Sequence, residues 1–321
     1  MNKLGAAAFA AAALTGGAAY GVSQALFTAL ISRNFKIPKA VSKFITEKDD
    51  KNPMSSLESA YKTNMKWLLE YGFERHTIIS DRGQKLRGYL MKPKKPSDVY
   101  VFGSHGYRSE GKGEWCYFAK FYLEEMGYNL FFVDHQSHGE SEGDYIGFAS
   151  HEHKDCLKWL GYMNDTFGKD IKIILHGISM GSTTVMLMTG SGKLPENVRF
   201  TVADCGFTSA MDEFDYKIDS LKLPFRPLVP IISAINHKKA GYDFQKDTNA
   251  LEGVKKAQIP MLFVHGDKDL FVPTFMVYKL YEACPTEKDI LIVPNADHAK
   301  SYHIDKEGYE AKIKAFAEKY L

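Results

Sequence analysis

The sequence predicts an α/β fold, a doubly wound and mostly parallel sheet with helices on both faces and a helical lid inserted over one edge. Three observations predict it. From Val99 onward, short apolar runs alternate with segments of helical period, the pattern of strand–helix–strand units. One run ends in Gly177-Ile178-Ser179-Met180-Gly181 and leads directly into a helix-compatible stretch, so a serine stands at a strand-to-helix turn. The alternation breaks once, over residues 207–258, where two helical patterns follow one another with no strand between them.

The elements follow in order. Leu4 to Ser32 contains no charged residue and only Lys3 precedes it, a run longer than the ~20 residues that span a bilayer. Residues 1–32 are therefore read as a single-pass N-terminal membrane anchor or, from the small residues around Gly17 and Ala19, as a cleaved signal segment. The Ala- and Gly-rich composition leaves a third reading, neither, open. Arg33, Lys36, Lys39 and Lys43 outnumber the basic groups before the run, which favours a cytoplasmic catalytic domain.

Residues 33–55, charged and punctuated by Pro38 and Pro53, read as a linker, and 56–321 as one domain. Leu57, Tyr61, Met65, Leu68 and Leu69 have the spacing of a helix face over Ser55 to Tyr71. Glu74 to Ser80 and Lys85 to Met91 flank Asp81-Arg82-Gly83-Gln84 as an antiparallel pair. Strands are expected at Val99, Asn129, Ile171, Arg199, Ile259 and Asp289. The helices between them are expected near Glu114–Met126, Ser150–Phe167, Ser182–Thr189 and Thr274–Ala283, with a last helix from His303 to Leu321. In the insertion, Ser209–Leu221 and Leu228–Lys239 are the two helical patterns, joined at Pro224-Phe225-Arg226-Pro227.

Composition narrows the function classes. The chain of 321 residues carries 41 basic and 39 acidic residues, interspersed, for a net charge of +2, so it has no nucleic-acid footprint. With 45% hydrophobic and 13% aromatic residues it can bury a sizeable core. Cys116, Cys156, Cys205 and Cys284 are scattered without a C-x-x-C and read as buried thiols. His151-Glu152-His153 lacks H-E-x-x-H spacing and reads as solvated helix residues. No metal and no cofactor are expected.

A serine at a tight strand-to-helix turn, with glycines two residues to either side, is held exposed as a nucleophile. It needs a base, and the base needs a carboxylate to fix its tautomer. Asp269, after the run Ile259–Val264, is the expected acid, and His298, in the loop after Asp289–Val293, the expected base. Asp204, at the end of the strand Phe200–Ala203, and Asp267 are rival acids, and His303 is the rival base. His105, His138, His176 and His265 lie near strand ends and read as structural hydrogen-bonding groups. The oxyanion of an acyl-transfer intermediate needs two N–H donors. Met180, following the nucleophile, and Tyr107, in the loop Gly103-Ser104-His105-Gly106-Tyr107, are expected to supply them.

The order Ser, Asp, His is that of the α/β-hydrolases, and the chain resembles the bacterial α/β-hydrolase superfamily, in its serine-aminopeptidase-like or cell-surface hydrolase branch from Gram-positive bacteria. Asp134-His135-Gln136-Ser137-His138-Gly139-Glu140-Ser141-Glu142-Gly143 is similar to the family's D-x-R-G-H-G-x-S-x-G turn, with Gln136 and Ser137 in place of Arg and Gly. Ala203-Asp204-Cys205-Gly206-Phe207-Thr208-Ser209 is similar to the segment that joins core to lid. The resemblance covers Glu74 to Leu321 and implies the fold and serine hydrolysis. It also implies the outer membrane face, against the flanking charges.

The function expected is a membrane-tethered serine hydrolase that cleaves carboxylic esters through an acyl-enzyme, taking a small-molecule ester as partner. Phe207, among lid aromatics and aliphatics that equally well anchor the lid, and Trp115 and Tyr145, outside the lid, are the candidate pocket residues. A peptidase or acyltransferase would use the same triad, a peptidase needing an acidic pocket group for a substrate amine. A non-catalytic anchored binding protein is the alternative of a different class. The catalytic domain is expected to fold without the N-terminal run, so that a chain starting near Lys48 keeps its activity on soluble esters.

Overall fold

The computed structural model describes residues 16–35 and 54–321. Helix α1 (Gly16–Ile31) precedes α2 (Met54–Tyr71), and the strands are β1 (Glu74–Ile79), β2 (Lys85–Met91), β3 (Val99–Ser104), β4 (Asn129–Asp134), β5 (Lys172–Ile178), β6 (Val198–Asp204), β7 (Met261–Gly266) and β8 (Lys288–Val293). They form one sheet in the order β1-β2-β4-β3-β5-β6-β7-β8. β1 pairs antiparallel with β2 and β2 with β4, while every other pairing is parallel. The strands in the middle of the sheet are buried on both faces, as continuous apolar runs such as Leu130–Val133 and Ile173–Leu175 require.

The crossovers put helices on both faces: α3 (Gly111–Trp115), α4 (Glu152–Phe167), α5 (Met180–Thr189), α9 (Phe275–Ala283), α10 (Ser301–Ile304) and α11 (Lys306–Tyr320). The insertion holds α6 (Ala210–Ser220), α7 (Val229–Ala240) and the short α8 (Ala250–Val254). Ser209 caps α6 by accepting from the Asp212 N–H, and Gly241 ends α7 in the left-handed conformation. The helix expected over Glu114–Met126 is broken. α3 stops at Trp115 and a π-helical turn covers Phe121–Glu125.

Three sequence readings change in the folded chain. Trp115 is fully buried, its ring lying where a Cβ on Gly103 of β3 would collide at 2.4 Å, so it belongs to the core beneath the sheet and not to a pocket. His151 and Glu152 are buried, not solvated. The His151 imidazole is 2.6 Å from the Ala240 carbonyl and Glu152 accepts the Gly147 N–H at 2.8 Å, which fastens α7 to the turn before α4.

The third change concerns the N-terminal run. Its described part, α1, packs on α7 with Ala19, Ser23, Phe27 and Ile31 buried in one stripe at a spacing of four. Ala19, Phe27 and Ile31 join a cluster with Met180, Phe207, Phe244, Val272 and Met276, beside the carboxyl end of β5. Tyr145 lies against this helix, its ring 5.3 Å from that of Phe27 and its backbone bridged to Ser32. Among the described residues no helix is long and apolar enough to cross a membrane. Leu4–Thr15 and the linker residues 36–53 lie outside the described residues. The expectation that the domain folds without residues 1–32 meets an α1 that packs on this apolar cluster, which its removal would uncover.

Candidate active site

The carboxyl ends of the parallel strands meet at one edge, and the backbone is strained there. Arg108, Ser137, Ser179, Cys205, Asn295 and Ala299, which follow β3, β4, β5, β6 and β8, all have positive φ without being glycine. Ser179 has φ 55° and ψ −118°, and its N–H donates to the Asp204 carbonyl at 2.8 Å, tying the turn to the end of β6. A Cβ on Gly181 would lie 2.0 Å from the Ser104 carbonyl oxygen. Only glycine lets the first turn of α5 approach β3 this closely. Gly181→Ala should therefore displace the turn, and loss of soluble folded protein or a lowered Tm in a thermal melt is the expected result.

Ser179, His298 and Asp269 form one hydrogen-bonded chain. Ser179 Oγ is 2.9 Å from His298 Nε2, and His298 Nδ1 is 2.7 Å from Asp269 Oδ2. Ser179 is 7% exposed and Asp269 2%. Asp269 Oδ1 accepts the N–H groups of Phe271 and Val272 at 2.9 and 2.8 Å. His265, fully buried, donates from Nε2 to the Val272 carbonyl at 2.8 Å and lies 3.2 Å from Asp269 Oδ2. Burial pushes the Asp269 carboxyl up, but the His298 charge and the hydrogen bonds from His265 and His298 outweigh it and hold the group well below the usual carboxylate range. The carboxylate is therefore fixed as an ionised acceptor.

The rival residues lie elsewhere or are engaged otherwise. Asp204 accepts the Tyr309 hydroxyl at 3.0 Å, and burial raises its pKa to about 7. Asp267 accepts the Asn295 N–H and so joins the two loops. The His303 ring packs on Tyr117 at 4.5 Å. His105 Nε2 accepts the His135 N–H at 3.0 Å, His138 Nε2 accepts the Arg108 N–H at 3.1 Å, and His176 sits between the hydroxyls of Tyr122 and Tyr309. Burial lowers the pKa of His105 to about 4 and those of His138 and His176 to about 3, so these rings are neutral hydrogen-bonding groups. Cys205, Asp269 and His298 place ligand-type atoms within 4.8 Å of one another. The two triad members there are already committed to each other, and burial pushes the Cys205 thiol far up.

The loop after β3 lies against the serine. A Cβ on Gly106 would stand 3.3 Å from Ser179 Cβ, which brings the Gly106-Tyr107 backbone beside the elbow where Met180 begins α5. Glu114, which sequence reasoning missed, accepts the Gly106 N–H at 2.9 Å, and burial raises its pKa. Phe207 is buried, its N–H donating to Thr183 Oγ1 at 3.1 Å, and it shares the apolar cluster with Met180. Glu213 on α6 was also missed. It is 5% exposed, and neither carboxyl oxygen has a hydrogen-bond partner among the described residues. Burial drives its pKa well up, with Lys217 and Asp269 within electrostatic reach.

Comparison with known proteins agrees with this architecture. YqkD of Bacillus subtilis is 27% identical over 240 residues, 74% of this chain and 77% of that protein. The esterase Pf2001 of Pyrococcus furiosus superposes with a TM-score of 0.61 at 20% identity, covering 78% of this chain and 94% of that one. Acetyl xylan esterase 1 from Thermoanaerobacterium gives a TM-score of 0.56 at 16% identity over 82% and 93% of the two chains. At these identities the two structures bear on the fold alone, which is that of the α/β-hydrolases. The prolyl oligopeptidase family model matches residues 121–321, a stretch that contains the elbow serine, the carboxylate and the histidine. The chain belongs to the prolyl oligopeptidase family of serine hydrolases.

Proposed function

We propose that the protein hydrolyses neutral carboxylic esters through an acyl-enzyme. The observation that carries this reading is the unbroken hydrogen-bonded chain from Ser179 through His298 to Asp269 at a strained elbow. Ser179 Oγ attacks the ester carbonyl while His298 Nε2 takes its proton. Asp269 holds the imidazole in the Nδ1–H tautomer and stabilises the imidazolium. The N–H groups of Tyr107 and Met180 bind the oxyanion. His298 then returns the proton to the departing alkoxide, and water attacks the acyl-enzyme by the same route in reverse. The aromatic and aliphatic lid, Phe207 included, supports an apolar acyl group. Turnover of p-nitrophenyl acyl esters should exceed that of aminoacyl and prolyl p-nitroanilides. Faster anilide turnover per enzyme would overturn the ester reading.

One observation favours a peptidase as the second reading. Glu213 is a buried acid without a hydrogen-bond partner among the described residues, and burial holds it protonated until a substrate ammonium pairs with it. Under that reading Glu213→Gln lowers anilide turnover and leaves ester turnover in place.

For the N-terminal run we propose that the docked helix is the working form. A span needs about 20 residues, so a bilayer anchor would have to draw on Gly16–Ile31, which α1 buries against the enzyme. Carbonate extraction tests this. A full-length chain that sediments with membranes and resists carbonate would show that the membrane wins the helix.

A further inference from the structure

Two consecutive residues of the loop beside Ser179 hold the end of α1. The Tyr107 hydroxyl donates to the Leu30 carbonyl at 2.7 Å and accepts from Arg108 Nε at 2.8 Å. Arg108 Nη1 donates to the Phe35 carbonyl at 3.0 Å, and Nη2 to the carbonyls of Ala29 and Ser32 at 2.8 and 3.1 Å. The last carbonyls of a helix have no partner within it and carry partial negative charge. A planar guanidinium with several N–H groups satisfies them in a way an ammonium cannot.

Arg108 itself is strained, with φ 54°, a conformation that costs free energy in a non-glycine residue and persists only where its surroundings impose it. On one side its N–H is fixed by the neutral His138 ring at 3.1 Å. On the other its side chain is fixed by α1. The helix is in turn pinned independently, since Arg33 donates to the carbonyls of Gly139 and Ser141 and its N–H to that of Asp144 at 2.8 Å. The Phe27–Ile31 end of the stripe shares the apolar cluster of Met180.

We propose that docking of α1 sets the oxyanion hole, with Arg108 as the positioning residue through which the helix holds the Tyr107 N–H at Ser179. The proposal rests on the oxyanion role given to Tyr107 in the hydrolase reading. When α1 leaves, the triad keeps its hydrogen bonds and the Tyr107 peptide loses its fixed orientation, so kcat falls while KM changes little.

The experiment uses the full-length chain carrying Arg108→Ala, Ile31→Asp and both together. Hydrogen exchange is followed in peptides covering residues 16–32 and 103–109, and kcat is measured on a p-nitrophenyl ester per site titrated by a fluorophosphonate. Either single change should raise exchange at 103–109 and lower kcat about 10- to 100-fold, below the 10²- to 10³-fold cost of deleting an oxyanion donor outright, with KM within about threefold. The double variant should be no worse than the poorer single one, because both act through one link. Unchanged exchange at 103–109 after α1 has opened, or fully multiplicative losses in kcat, would overturn the coupling. If Ile31→Asp does not fold, Arg108→Ala alone decides, since raised exchange at both 16–32 and 103–109 with lowered kcat supports the link and a loss confined to Tm overturns it. Raised exchange at 103–109 in a chain that neither labels nor turns over ester supports the coupling and removes the hydrolase reading.

Discussion

Ser179→Ala is expected to abolish labelling by a fluorophosphonate and to lower kcat on any substrate by about 10⁴-fold or more. The size follows from how the residue is held. Its φ of 55° is maintained by the Asp204 carbonyl, and its Oγ lies 2.9 Å from His298 Nε2. No other side chain of the described site combines an elbow with that base. The methyl group of alanine fits the same turn, so the fold should survive and Tm should stay close to that of the parent. Activity-based labelling on a gel, read beside a thermal melt, checks both halves. Labelling that persists in the variant would remove Ser179 from the chemistry.

That serine could be found from the sequence because its signal is local. Two glycines, a preceding apolar run and a following helical stretch all fall within a few residues, and Asp269 and His298 likewise follow directly on the apolar runs of β7 and β8. The strands were legible for a similar reason, since each buried strand is a short apolar run. Helix α1 was not legible. Its stripe is Ala19, Ser23, Phe27 and Ile31, with no charge on the opposite face to mark a surface, and an uncharged run looks the same whether a bilayer or an apolar protein groove receives it. Arg108 gave no signal either, because its work is done by a left-handed backbone and by carbonyls far away in the chain. Trp115 was misplaced because the helix carrying it ends early, and Gly103 leaves the space its ring fills. Glu114 and Glu213 gave no signal either, because the surroundings that bury Glu213 and the Gly106 N–H that Glu114 accepts are set by the fold and not by neighbouring sequence.

The two buried aspartates of the site should respond in opposite ways to the same isosteric change. Asp269 acts purely as an acceptor, Oδ1 taking two backbone N–H groups and Oδ2 the His298 Nδ1–H. An amide at this position must turn its NH₂ either toward two N–H donors or toward the imidazole, and the second choice imposes the wrong tautomer on His298. Asp269→Asn is therefore expected to lower kcat by about 10³-fold or more. Asp204 accepts from Tyr309 and its other oxygen has no partner among the described residues, so asparagine replaces it without facing a donor there, and kcat should stay within about threefold of the parent. Stability separates them again. The folded pKa of Asp204, near 7 through burial, lies above the unfolded value of about 3.9. The native state thus binds the extra proton between those values, and Asp204 costs stability as pH rises through that window. Asp269 is depressed, so its contribution is present above about pH 3.9 and is lost as pH falls through its folded pKa. Relative to the parent, Asp204→Asn should gain Tm between pH 4 and pH 8, and Asp269→Asn should lose it at neutral pH. Thermal melts at the two pH values, run beside ester kinetics, check both. A large loss of kcat in Asp204→Asn with little in Asp269→Asn would move the catalytic acid to the end of β6.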